Sequence, residues 1–349
     1  MAVPASQPTE TLRERHWTAR GLNPITALCE RTVAADPGIR SLAHFSGGVL
    51  DFVVRRAGAE PPAARPGTVP GDDDGEAEAE ALRGHRLLLC AQDLGALLRP
   101  LGTGDLMRTV VAGDDGALWG GRVKPGEYLA AATDTPDGVD SLDNGMNDLV
   151  TALRTRVHSL PGEFPGGDPA AVPGTTVADD DIEDLRVDFG RALAVDAGYE
   201  EWLRSLWRLY VNPTDLQYAG YYRDWTLVCV GDVFDAPDLA PRFLDVSVRN
   251  RRAGYRDLAR GLRGHLVRLA DALHPTTAHG TGPAAGRPSV TRLVLDVQEG
   301  AVYVRWTTPR TFVLGVTLDQ SQVANAEAGL HRLAEALAGP AGRPPYPTP

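Results

Sequence analysis

The sequence predicts a mixed α/β (α+β) protein of two tandem related halves, each an antiparallel sheet flanked by helices. Three observations predict it. The stretch GALWGGRVKPGEYLAAAT at residues 116–133 returns as GAVYVRWTTPRTFVLGVT at residues 300–317. Each copy is two apolar runs hinged at a proline, Pro125 or Pro309, and so short a hinge can join only neighbouring antiparallel strands. Each is followed by apolar positions at helical spacing, in residues 139–157 and 323–338.

Aligned without a gap, Gly116 falls on Gly300, Ala117 on Ala301, Pro125 on Pro309 and Thr133 on Thr317. The same offset of 184 carries Val139 to Val323, Gly145 to Gly329, Leu149 to Leu333, Ala152 to Ala336 and Leu153 to Leu337. That makes nine identities over residues 116–154, where a composition this rich in Ala, Leu and Gly gives roughly four by chance.

Along the first half, Leu42, Phe45, Val49, Leu50 and Val53 fit a helical period and predict a helix over residues 39–56. Residues 58–80 combine Pro, Gly and a run of acids and read as a solvated insertion. A helix over 82–98, strands over 106–111, 117–123 and 128–133, and a helix over 139–157 follow. The first half is therefore taken as residues 1–160. Residues 161–180, rich in Pro and Gly, read as a linker.

The second half, residues 181–340, begins with a helical stretch over 182–210 that is interrupted near Gly198. Strands are expected over 225–230 and 243–248, and an arginine-rich helix over 251–273. After a Gly/Pro-rich loop come strands over 290–297, 302–307 and 312–317, a last helix over 323–338, and a Pro-rich tail, residues 341–349.

At 349 residues the chain has room for two domains with sizeable cores. Hydrophobic residues make 43% and charged residues 23%, a globular balance, and no apolar run approaches the roughly 20 residues of a membrane helix. With no signal peptide evident, the cytoplasm is the expected compartment. A formal net charge of −11 argues against wrapping nucleic acid. Lys124 is the sole lysine, as expected of a GC-rich genome. Cys29, Cys90 and Cys229 stand far apart among apolar neighbours and read as buried reduced thiols.

The strand TFVLGVTLDQ running into the helix SQVANAEAGLHRLAEALAG, within the order of elements above, resembles the Roadblock/dynein-light-chain family, whose bacterial members include regulators of small GTPases. The match is clearest over residues 290–338, with 106–157 as a weaker second copy. The resemblance implies a profilin/Roadblock-like fold and a non-catalytic regulatory or scaffold protein that binds a protein partner, a small GTPase among the candidates. It also implies an intramolecular pseudo-dimer of the two modules, or a homo-oligomer.

Two places could carry function. On the arginine-rich helix, Tyr255, Leu258, Leu262, Leu266, Leu269 and Leu273 form one stripe, and Arg252, Arg256, Arg260 and Arg263 an adjoining one. Guanidinium groups in a row suit the carboxylates of an acidic partner, or this chain's own excess acids. The segment LQYAGYYRDW offers Tyr218, Tyr221, Tyr222, Arg223 and Asp224 as the lining of an enzyme pocket, or as core. No catalytic constellation, cofactor loop or metal site is expected. The segment HFSGG at His44–Gly48 is not a nucleophile elbow, GTGD at 102–105 lacks the lysine of a phosphate loop, His274 and His279 lack companions, and Asp72, Asp73 and Asp74 lack calcium-loop spacing.

Overall fold

The computed structural model of the protein describes residues 8–57, 73–162, 166–167, 184–191, 197–273 and 290–339. The expected linker falls mostly, and the Pro-rich tail wholly, outside them. The chain divides into two compact units, one of residues 1–93, 107–165 and 265–282, the other of residues 94–106, 166–264 and 283–349.

In the first unit the elements are β1 (Thr9–Arg13), α1 (Ala19–Ala35), β2 (Ser41–Ser46), β3 (Val49–Arg56), α2 (Asp73–Leu98, of which residues 94–98 belong to the second unit), β4 (Leu106–Gly113), β5 (Gly116–Lys124), β6 (Glu127–Thr133) and α3 (Val139–Ala152). Its strands pair antiparallel in the order β1-β3-β2-β6-β5-β4. Helices α1 and α3 pack on one face, α1 against β3 and α3 against β5 and β6. Helix α2 covers the other, where Ala81 and Leu88 join Ala43, Phe45, Val53 and Ala130 in one apolar cluster. Gly84 permits that approach, since a Cβ there would lie 2.9 Å from the Ala130 methyl.

The second unit has the same order of elements: β7 (Arg186–Phe189), α4 (Ala197–Tyr210), β8 (Tyr218–Arg223), β9 (Thr226–Asp232), α5 (Val248–Leu273, of which residues 265–273 belong to the first unit), β10 (Val290–Val297), β11 (Gly300–Thr308), β12 (Thr311–Thr317) and α6 (Val323–Ala338). The order is β7-β9-β8-β12-β11-β10, again antiparallel. Helix α6 packs on β11 and β12 with α4 beside it, and the ring of Tyr255 on α5 meets Tyr218 across the opposite face.

Pairing registers coincide between the units. Ala117 sits opposite Thr133 and Ala301 opposite Thr317, and the bulges fall at Arg122/Lys124 and Trp306/Thr308. A strand-to-helix ion pair recurs too, buried in the first unit and half-buried in the second. Arg108 of β4 holds Asp143 of α3 at 2.6 and 2.7 Å, and Arg292 of β10 holds Glu327 of α6. Gly116 and Gly300 meet one need, because a Cβ at either would stand 2.1 Å from the carbonyl oxygen of Thr133 or Thr317.

Several expectations are corrected. Residues 39–56 are not a helix but the β2–β3 hairpin. Residues 41–45 of β2 are all buried, so no polar alternation marks it as a strand, while Gly47 and Gly48 take the left-handed backbone of a two-residue turn. The acidic stretch is helical from Asp73, so α2 begins inside the expected insertion. Its Glu-Ala repeats favour helix, and acids suit a helix N-terminus. Residues 186–189 form an edge strand instead of helix, 218–223 a strand instead of a polar loop, and 237–243 a short 3-10 helix leading into α5 in place of a strand over 243–248. Helical spacing in the sequence marks Trp202, Leu203, Leu206, Leu209 and Tyr210 as the core face of α4, but the structure buries Tyr199, Leu203 and Trp207 and exposes Leu209.

Candidate functional site

Helix α5 carries the arginine row, and its apolar stripe is buried as expected: Tyr255, Leu258, Leu262, Leu266, Leu269 and Leu273 all face inward. The arginines divide into two classes. Arg252 grips the carboxylate of Asp232, itself 1% exposed, with Nε and Nη2 at 2.7 and 2.6 Å, and reaches Asp235 at 2.8 Å. Those hydrogen bonds push the Arg252 guanidinium further up from its ordinary value. Arg256 pairs with Asp188 of the edge strand β7, whose carboxyl is pulled down by Arg256 and Arg186 against the upward push of burial. Both are internal ties of the second unit, so the row is not one continuous free surface. Arg260, 79% exposed, pairs with Asp257 one turn away, and Arg263 lies over the ring of Trp225 at 5.8 Å.

The tyrosines of LQYAGYYRDW are spent on packing. Tyr218, Tyr221 and Tyr222 are buried; Tyr218 lies against Phe234 and Tyr255, and Tyr222 stacks on Phe312 at 4.9 Å. Burial raises the phenols of Tyr218 and Tyr222, as expected of core side chains. Arg223 and Asp224 lie at the strand end, where Asp224 pairs with Arg310 across the neighbouring turn, Nε to Oδ1 at 2.8 Å.

That turn is unusual. Arg223 and Thr226 close a two-residue hairpin loop whose members, Asp224 and Trp225, have φ of 48° and 66°. In the first unit, Ser46 and Val49 close the matching loop around Gly47 and Gly48, with φ of 59° and 83°. Positive φ at both positions is what this turn demands, and glycine meets it without strain. A tryptophan held there costs roughly 1–2 kcal/mol. Its ring packs on Phe312 at 4.9 Å and edge-on to Trp306 at 6.5 Å, and both tryptophans are partly exposed.

The corresponding end of the first unit holds a polar cluster that spacing did not reveal. The ring of His44, fully buried, lies between Asp51, 2.8 Å from Nδ1, and Glu127, 3.3 Å from Nε2. Ser46 donates to Asp51 at 2.6 Å, and His16 approaches its other oxygen at 3.0 Å. Glu127 also receives His158 at 2.9 Å and Lys124 at 3.1 Å. Burial pushes the Glu127 carboxyl up, but the hydrogen bonds from His44, His158 and Lys124 outweigh it and hold it at about 2. The serine and histidine of HFSGG both serve Asp51 and do not bond to each other, so they form no nucleophile–base pair. The cluster fastens β2, β3 and β6 together, and Gly47-Gly48, read as a hairpin turn, is the sequence signal that places His44 near Asp51.

Among the described residues, no group of three or more His, Cys, Asp or Glu is arranged to hold a metal ion, and no helix is long and apolar enough to cross a membrane. Cys29, Cys90 and Cys229 are free and buried, and burial raises all three thiols. Comparison with protein-family models and with curated proteins finds no match to this chain.

Proposed function

We propose that the chain is a non-catalytic regulatory or scaffold protein built from two tandem copies of one module, of Roadblock-like fold, that binds a protein partner through the exposed end of the α5 arginine row, Arg260 and Arg263. The observation that carries the reading is repetition with divergence. The two units share element order, strand register, bulge positions and a strand-to-helix ion pair, yet matching sheet ends present a sealed histidine–carboxylate cluster in one and tryptophans beside arginines in the other. A fold kept while its surface chemistry changes suits recognition. The Roadblock resemblance makes a small GTPase the partner to test first. The enzyme alternative at Tyr218, Tyr221, Tyr222, Arg223 and Asp224 draws no support from this arrangement, since the three tyrosines are packed into the core and Asp224 pairs with Arg310 at the surface.

The deciding experiment is affinity capture from native lysate with the full chain and with Arg260→Glu/Arg263→Glu. The expected outcome is a partner retained by the first and lost by the second at equal circular dichroism. Identical captures would refute the assignment. Pairing of the two modules within one chain belongs to the same proposal, and light scattering at a single chain mass supports it against a homo-oligomer.

A further inference from the structure

The left-handed conformation of Trp225 is the most informative strain in the molecule, because the matching turn of the first unit uses Gly47 and Gly48 for the same backbone. Strain of this kind persists where the side chain has work to do. The ring of Trp225 is partly exposed beside Trp306, also partly exposed, and both pack on Phe312. Arg263 lies on its face, Arg260 stands one turn earlier on α5, and Arg310, 76% exposed, flanks it through Asp224.

Two half-open indoles make a platform for apolar side chains and planar amides, and guanidinium groups around them select carboxylates. In a chain of net charge −11, these three arginines against Asp224 and Asp257 form a local cationic patch. We propose that Trp225 and Trp306, with Arg260, Arg263 and Arg310, form a docking platform for an acidic peptide segment of another protein that carries an apolar anchor. Single-stranded nucleic acid would also stack on tryptophan, but it carries a charge at every nucleotide, so the acidity of the whole chain opposes it more than a short peptide whose few carboxylates meet only the local arginines. This inference rests on the partner-binding reading and narrows it to a site and a ligand chemistry.

The test uses the intact chain and a display library of random 12-residue peptides. Selection is expected to enrich Asp and Glu around a Leu, Phe or Trp. A fluorescein-labelled selected peptide should bind at least ten-fold more weakly to Trp225→Gly and to Arg263→Ala, and more weakly to all forms as salt rises. Trp225→Gly should melt within a few degrees of the wild type, because glycine relieves the turn while the ring contact with Phe312 is lost. Selection without acidic enrichment, equal binding by Trp225→Gly, or tighter binding of oligo-deoxythymidine than of the peptide overturns the proposal. A large fall in melting temperature for Trp225→Gly makes Trp225 a packing residue and overturns it equally. Partner capture that depends on Arg260 and Arg263 but survives Trp225→Gly removes the platform alone, whereas capture independent of those arginines removes the parent reading.

Discussion

Arg252→Ala separates the two kinds of arginine on α5 most sharply. Asp232 is 1% exposed and takes two hydrogen bonds from Arg252, at 2.7 and 2.6 Å, with the Phe234 amide at 3.2 Å as a further donor. Truncating Arg252 leaves a carboxylate buried with most of its compensation gone, and loss of one partner from a buried pair costs about 3–5 kcal/mol. For a domain of ordinary size, each kcal/mol lowers the melting temperature by roughly 2–4 °C, so a fall of roughly 6–20 °C is expected. Arg260→Ala breaks only an exposed pair one helical turn apart, worth under about 0.5 kcal/mol. Urea unfolding followed by circular dichroism measures both, and Arg252→Met with Asp232→Leu should recover much of the loss by removing the stranded charge together with its partner. If Arg252→Ala and Arg260→Ala fall within about 1 kcal/mol of each other, the division of the row into internal and free arginines is wrong.

Three further outcomes follow from the geometry. Because the Glu127 carboxyl is held at about 2 against an ordinary 4.5, its contribution, on the order of 3 kcal/mol, is fully present above pH 4.5 and drains away as the pH falls toward 2. Glu127→Gln should therefore be destabilised at pH 7 and converge on the wild type in acid titrations of unfolding; a constant gap across that window would refute the assignment. Gly116→Ala and Gly300→Ala should each lower stability by more than about 2 kcal/mol and by similar amounts, because both drive a Cβ to 2.1 Å from a backbone oxygen; a mild effect at either, seen by thermal melting, would contradict the shared register. Cys29, Cys90 and Cys229 should resist a thiol-labelling reagent in the native protein and react together in guanidinium, since burial disfavours each thiolate; fast native labelling at any of them would show it to be accessible.

What the sequence disclosed, and what it hid, follows burial. β4–β6 and β10–β12 were legible because hinge prolines and recurrent glycines punctuate them, and α3 and α6 because each has a single buried stripe. The β2–β3 hairpin was hidden because Leu42, Phe45 and Val53 are buried together with Ser41 and His44, which removes the alternation that marks a half-exposed strand. β1 and β7 are short edge strands, five and four residues long, with no face buried enough to imprint a pattern. At the candidate site, residue type was readable and partnership was not. The four arginines of α5 look equivalent in one dimension, but Asp232 and Asp188, which separate Arg252 and Arg256 from the others, come from strands distant in the chain. Trp225 was legible as the end of an aromatic run and as the start of an expected strand over 225–230, but not as a turn residue, because that place is set by a backbone angle.

The recurrent ion pair has a consequence for recombination. Arg108 with Asp143 and Arg292 with Glu327 use the same cation and acids that differ by one methylene, so the helix of one unit would bring a compatible carboxylate to the sheet of the other. Trp119 complicates the exchange, since its indole N–H donates to Asp143 at 3.0 Å, whereas Tyr303 turns its hydroxyl to the carbonyl of Val323. A helix graft between the two units would therefore have to move position 119 or 303 along with it, which makes the aromatic, the acid and the arginine one set to be exchanged together, while the remainder of the helix surface can change independently in evolution or design.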